Sequence, residues 1–147
     1  MASVTPPLAS RVVHELGLRV YWEDTDAAGI VFYANYLKFF ERARTEWLRA
    51  LGFSQEALRT ASAESGAAVF MVAGTRLNYR APARLDDWLT VDVRLQQVGA
   101  ATLELQQHAW RGEQLLCEGE IRIACVHPDT LKPRRIPTAV LAALDAR

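Results

Sequence analysis

The sequence has no net charge, only three histidines and only two cysteines, and no apolar run near the ~20 residues needed to span a bilayer. Each absence excludes something. Seventeen basic side chains balance seventeen acidic ones, so the total gives no attraction to nucleic acid or an anionic membrane, and any basic site must be local. The opening MASVTPPLAS lacks the charged-then-apolar pattern of a secretory signal. The expectation is a soluble, cytoplasmic protein without a membrane span, its Cys117 and Cys125 reduced. Those two cysteines stand in one strand pattern, roughly 26 Å apart at about 3.3 Å per residue, too far to share a metal ion. They read as buried structural thiols. No G-x-S-x-G occurs, and His14, His108 and His127 fall in strands or a strand-end loop. No Ser-His-Asp arrangement is legible.

What is present suits one ordinary domain: 147 residues, 50% of them hydrophobic, enough to bury a core. Residues 1–10, with Pro6 and Pro7, read as a flexible leader, and 11–147 as a single domain. From Arg11 to Trp22 the chain alternates, with His14, Leu16, Leu18, Val20 and Trp22 on one face, which predicts a strand. After the loop EDTDAAG the period becomes helical. Tyr36, Phe39, Phe40, Ala43, Trp47, Ala50 and Leu51 form an apolar stripe, predicting a helix from Tyr33 to Leu51 with Gly52 at its C-terminal cap. Ser54 caps a second short helix to Ala61. Strands follow at Val69–Tyr79, Trp88–Gln97, Thr102–Trp110 and Gln114–Val126. They are separated by RAPARLDD, VGA and RGE, the last two short enough for antiparallel neighbours. TAVLAAL predicts a C-terminal helix. Five antiparallel strands and one long helix make an α+β domain, its sheet curled around the helix.

The chemistry concentrates in DTDAAGIVFYANYLKFFERARTEW, Asp24 to Trp47. A D-x-D pair can hold a divalent cation, yet no phosphate-cradling glycine loop lies nearby, and no metal or cofactor is expected. A carboxylate before a helix can also offset the positive end of its dipole, worth about 0.3–1 kcal/mol. Asp24 fits this role, as a loop-shaping or helix-end charge; Asp26 stands too far ahead of Tyr33 for a simple cap. The third reading is chemical. Unpaired N–H groups at a helix start can hold a developing oxyanion, and a carboxylate beside them can attack a carbonyl or draw a proton from water. Gly29 permits backbone angles that let amides approach a ligand. Asn35 orients either the loop or a ligand.

The run VYWEDTDAAGIVFYANYLKFFERARTEWL resembles the hotdog-fold acyl-CoA thioesterases, within them the Tol-Pal-associated and 4-hydroxybenzoyl-CoA thioesterase group. The resemblance spans about Leu16 to Ile136, including LNYRAPARLDDWLTVDV and KPRRIP. It implies the hotdog fold, a homodimer or homotetramer with active sites at the dimer interface, and metal-free hydrolysis of thioesters of coenzyme A, or of acyl carrier protein. It assigns the catalytic carboxylate to Asp26, as nucleophile or general base, and the carbonyl-polarising amide to Tyr33. There are two departures. Many Tol-Pal-associated members carry histidine at Tyr33, where the hydroxybenzoyl enzymes carry tyrosine, so the acyl preference stays open. The turn QQVGAA lacks the basic cluster that hydroxybenzoyl enzymes set against the nucleotide phosphates, leaving Arg84, Lys132, Arg134 or Arg135 to hold coenzyme A. A non-catalytic acyl-binding protein on the same fold is the rival reading.

Overall fold

Alternation of buried and solvent-facing side chains builds the sheet. In β4 (Thr102–Arg111) Leu103, Leu105, Gln107 and Ala109 are buried, while Glu104, Gln106, His108 and Trp110 are half-buried between them, the period-two pattern of a strand with one covered face. The computed structural model describes residues 11–61 and 66–145; the expected leader, residues 1–10, lies outside them. Four more strands, β1 (Val12–Arg19), β2 (Val69–Tyr79), β3 (Trp88–Val98) and β5 (Gln114–Val126), join β4 in the order β1-β3-β4-β5-β2. Every neighbouring pair is antiparallel. The architecture is α+β with a five-stranded antiparallel sheet.

The first strand is shorter than its alternation suggested. Val20 still pairs, donating to Asp87 O and accepting from Asp86 N. The chain then turns through a single 3-10 turn at Trp22–Asp24, leaving Trp22 83% exposed rather than on the buried face. The cause is Asp24, whose carboxylate pulls the chain back onto Tyr21 N.

Helix α1 runs from Asn35 to Ala50, the longest described helix, and starts two residues later than the stripe suggested. Phe32 O accepts from Asn35 N, closing a turn over Tyr33 and Ala34 before the helix proper. Its end is closed by the Gly52 N–H bonding Arg49 O and the Phe53 N–H bonding Leu48 O, the paired bonds of a Schellman cap. The stripe Tyr36, Phe39, Phe40, Ala43 and Trp47 is buried, lying against β1, β3 and β4. Helix α2 (Gln55–Thr60) is capped by the Ser54 hydroxyl, which accepts from Ala57 N. Helix α3 (Thr138–Asp145) closes the described chain, with Val140 and Leu144 buried.

Two features set how closely α1 can approach. A Cβ at Gly119 of β5 would stand 2.8 Å from the Leu77 side chain and 3.0 Å from the Phe40 ring, so only glycine leaves room there. Gln107, fully buried, donates to Phe40 O at 3.0 Å and accepts from the Arg44 guanidinium at 2.9 Å, fixing the helix's rotation on the sheet. Across β3 and β4, the buried Asp92 carboxylate accepts from His108 N, Trp110 Nε1 and Arg94 Nε, and pairs with His108 Nδ1. A buried carboxylate so fully bonded is tolerated because each oxygen keeps partners in place of water. No described helix is long and apolar enough to cross a membrane.

Candidate active site

The segment before α1 folds as a small hairpin. Thr25 pairs antiparallel with Val31, Asp26 N donates to Ile30 O, and Gly29 N donates to Asp26 O. Gly29 takes φ +78, the left-handed conformation that this turn needs and that a side chain would resist. A further strand-like partner fixes the hairpin from the other side: Val31 N donates to Ala83 O, and Ile30 is bridged to Arg84.

The two aspartates, chemically identical in the sequence, are divided by this hairpin. Asp24 is buried. One of its carboxylate oxygens accepts from Tyr21 N and the other from Asn35 Nδ2, both at 2.8 Å, while its carbonyl accepts from Phe32 N. It is the clasp that ties the 3-10 turn to the first residue of α1, and Asn35 is its partner in that clasp. Asp26 is exposed. Its Oδ1 accepts from Ala28 N at 2.8 Å, an Asx turn, and among the described residues its second oxygen has no hydrogen-bond donor.

Tyr33 sits in the turn that enters α1 rather than in the helix. Among the described residues the N–H groups of Tyr33 and Ala34 have no acceptor. The first turn of α1 holds no acidic residue, so the helix's own side chains leave its positive end uncompensated. Asp26 and Tyr33 each lie within two residues of the Thr25–Val31 bridge. A cleft of 340 Å³ opens beside Tyr33, lined by Ile30, Val31, Tyr36, Tyr79 and Pro82 among others. Tyr79, from the end of β2, donates its hydroxyl to Tyr33 O at 3.0 Å and meets the Tyr33 ring edge-on. Burial pushes the Tyr36 hydroxyl up to about 12, so it stays a neutral wall of this cleft. Tyr79 was invisible to sequence reasoning, because nothing local marks a residue 46 positions away as a neighbour.

The basic candidates divide. Arg84 is exposed beside the hairpin, its backbone N–H held by the Asp87 carboxylate. Lys132, Arg134 and Arg135 lie past the far end of β5. Tyr79 pairs with Cys117 near the Asp26 end, and Val69 with Val126 at the other, so these residues stand roughly 30 Å from Asp26 in one chain at about 3.3 Å per strand residue. Within a single subunit, Arg84 therefore lies on the hairpin's side of the sheet and the other three do not. Arg134 is moreover occupied, donating to Ala67 O and Arg135 O. Burial raises the Cys117 thiol to about 12 and raises that of Cys125 as well, which leaves both protonated and unreactive at neutral pH. Among the described residues no three His, Cys, Asp or Glu side chains are grouped to hold a metal ion.

Comparison with known proteins identifies relatives of the chain and of its fold. The model of the thioesterase superfamily matches residues 28–118. The acyl-CoA thioesterase YbgC of Haemophilus influenzae is 41% identical over 126 residues, covering 86% of this chain and 90% of that protein. The acyl-CoA thioester hydrolase YbgC of Escherichia coli O157:H7 is 44% identical, covering 85% and 90%. Among solved structures, a probable thioesterase from Bartonella henselae superposes with a TM-score of 0.79 at 35% identity, covering 84% of this chain and 98% of that one.

Proposed function

Since the chain belongs to the thioesterase superfamily, we propose that it hydrolyses acyl-coenzyme A thioesters, with Asp26 as the reacting carboxylate and the Tyr33 N–H as the group that polarises the carbonyl. The observations that support this are a free, exposed carboxylate oxygen on Asp26 and an unpaired N–H on Tyr33 at the entry to α1, both residues lying within two positions of the Thr25–Val31 bridge. A carbonyl oxygen set against that N–H is stabilised as negative charge develops on it. Asp26 then either takes a proton from water as the water oxygen bonds to the carbonyl carbon, or bonds to that carbon itself and is released by water. In both routes the C–S bond breaks and the thiolate leaves. Because a thiolate is a good leaving group, no general acid is required, and none of the three histidines has to serve as one.

The reading extends to assembly. Strand β2 is an open edge of the sheet, with Met71, Val72 and Tyr79 exposed along it, and an open apolar edge invites a partner strand. A second copy paired antiparallel along β2 sets the partner's far end beside this subunit's Asp26. Lys132 and Arg135 then reach a substrate at the partner's hairpin, and Arg84 a substrate at its own, each facing the nucleotide phosphates. The arrangement is a hotdog: one domain over residues 11–147, its sheet wrapped on α1 as the central helix, acting as a homodimer or homotetramer in the cytoplasm.

The test is thiol release from short-chain, long-chain and aromatic acyl-CoAs, and from acyl carrier protein, with Asp26→Asn beside the wild type. A fall of at least about a hundredfold, the scale of a lost catalytic group, supports the assignment. Wild-type activity that persists in Asp26→Asn overturns it.

A further inference from the structure

The hairpin that carries Asp26 leans on the connection between β2 and β3. Its second limb, Ile30 and Val31, meets Arg84 and Ala83 of that connection. Ala83 is fully buried and joins two elements: its carbonyl accepts from Val31 N, and its backbone also bonds the Tyr36 hydroxyl of α1. The hairpin and the first turn of α1 therefore hang on one short segment that belongs to no strand.

That segment is clamped by one side chain from another part of the sheet. Arg111 is the last residue of β4, where the tight turn into β5 sets it opposite Gln114. Its Nη1 donates to Pro82 O at 3.2 Å and to the Asp87 carboxylate at 2.6 Å, and its Nη2 donates to Gln114 Oε1 at 2.7 Å. The same Asp87 oxygen accepts from Arg84 N at 2.8 Å. Pro82 and Asp87 flank Ala83 and Arg84, so the guanidinium holds both ends of the piece that meets the hairpin. The Arg111 side chain is 33% exposed and that of Asp87 23%, so the pair is partly withdrawn from water, where charge-assisted bonds hold better than at an open surface. A planar fork meets several acceptors at once, whereas an ammonium is a single point charge.

We infer that Arg111 is a positioning residue for thioester hydrolysis: through Pro82 and Asp87 it fixes the Ala83–Arg84 segment, and through that segment the hairpin that aims Asp26. This role rests on the reading of Asp26 as the reacting carboxylate. The cleft wall is made by Arg80, Ala81 and Pro82 rather than by Arg111 itself, so the effect passes through the backbone and not through contact with substrate. A displacement of about 1 Å at a reacting group can cost up to a hundredfold in rate, and a slackened clamp therefore shows in kcat.

Two readouts on Arg111→Gln and Arg111→Lys test this. In hydrogen exchange, the amides of Asp26, Gly29 and Val31 are all bonded in or to the hairpin. They are expected to exchange about tenfold to a hundredfold faster in Arg111→Gln, the scale of a lost charge-assisted bond, while amides at the centre of β4 and β5 keep their wild-type rates. In thiol release, kcat is expected to fall about tenfold with KM within about twofold. Arg111→Lys, which keeps the charge but not the fork, should lie between Arg111→Gln and wild type, and it supplies both readouts if Arg111→Gln folds poorly. Unchanged exchange in the hairpin, or exchange that rises equally across the sheet, overturns the inference. So does a wild-type kcat, or a loss carried by KM alone. The two failures are distinct: unchanged hairpin exchange beside an inactive Asp26→Asn sinks the Arg111 assignment alone, whereas an active Asp26→Asn sinks the carboxylate reading and the Arg111 assignment with it.

Discussion

Replacing Asp24 by asparagine separates architecture from chemistry in the D-x-D pair. In the folded chain the two Asp24 oxygens accept from two donors that point at them from opposite sides, Tyr21 N and Asn35 Nδ2, each at 2.8 Å. Asparagine keeps one oxygen and turns an NH₂ group toward the other donor. A buried donor then faces a donor, at a cost of about 1–3 kcal/mol. For a domain of this size that lowers Tm by roughly 3–9 °C, at about 3 °C per kcal/mol. The double substitution Asp24→Asn with Asn35→Asp restores the pattern. The amide introduced in the loop can accept from Tyr21 N and donate to the carboxylate introduced on the helix. That carboxylate's charge at the helix start is itself favourable by about 0.3–1 kcal/mol. Thermal and urea unfolding of the four proteins in this cycle measure the coupling, expected at about 1–2 kcal/mol. Asp24→Asn within 0.5 kcal/mol of wild type, the scatter of ordinary surface changes, refutes the clasp, as does a double variant no more stable than the sum of its parts.

Other expectations follow from the same geometry. Asp26→Asn keeps an oxygen for Ala28 N, so its unfolding midpoint should stay within about 0.5 kcal/mol of wild type even as turnover collapses; a matching loss of stability would mean that the lost activity was structural. Tyr79→Phe removes the hydrogen bond to Tyr33 O and should lower kcat/KM by about threefold to tenfold, read by thiol release with the fold checked by circular dichroism. Gly119→Ala drives a methyl into Leu77 and Phe40 and should cost about 1–3 kcal/mol, measured by urea unfolding. Burial alone would raise the Asp87 carboxyl, but the Arg84 N–H and the Arg111 guanidinium outweigh it and hold the carboxyl below its usual range. A lowered folded pKa stabilises above the unfolded value, near 3.9, and that stability is lost as pH falls through the folded value. Wild type should therefore exceed Asp87→Asn in stability at pH 5–7, with the gap closing below about pH 4, as chemical denaturation at several pH values would show.

Much was decided by the sequence alone, where the cause is local. The bounds of β2 and β5 were legible to the residue, because a strand's period of two stops where glycine, proline and charged turns interrupt it. The helical stripe from Tyr36 to Trp47 was equally plain, since only a 3.6-residue period places those aromatics together. The thioesterase superfamily was legible as well, from the resemblance carried by the segment around the D-x-D pair.

What the sequence left open depended on which groups meet across the fold. Asp24 and Asp26 offer the same carboxylate; burial against Tyr21 and Asn35 made one a clasp, and a tight hairpin left the other with a free oxygen. Tyr33 became a turn residue because Asn35 N bonds Phe32 O before the helix can start. Lys132, Arg134 and Arg135 resembled Arg84 in every local respect, yet the course of β5 carried them to the opposite end of the sheet. Local propensity acts over a few residues, whereas a site is assembled by contacts tens of residues apart; Tyr79 reached Tyr33 only once β2 had taken its place at the edge of the sheet.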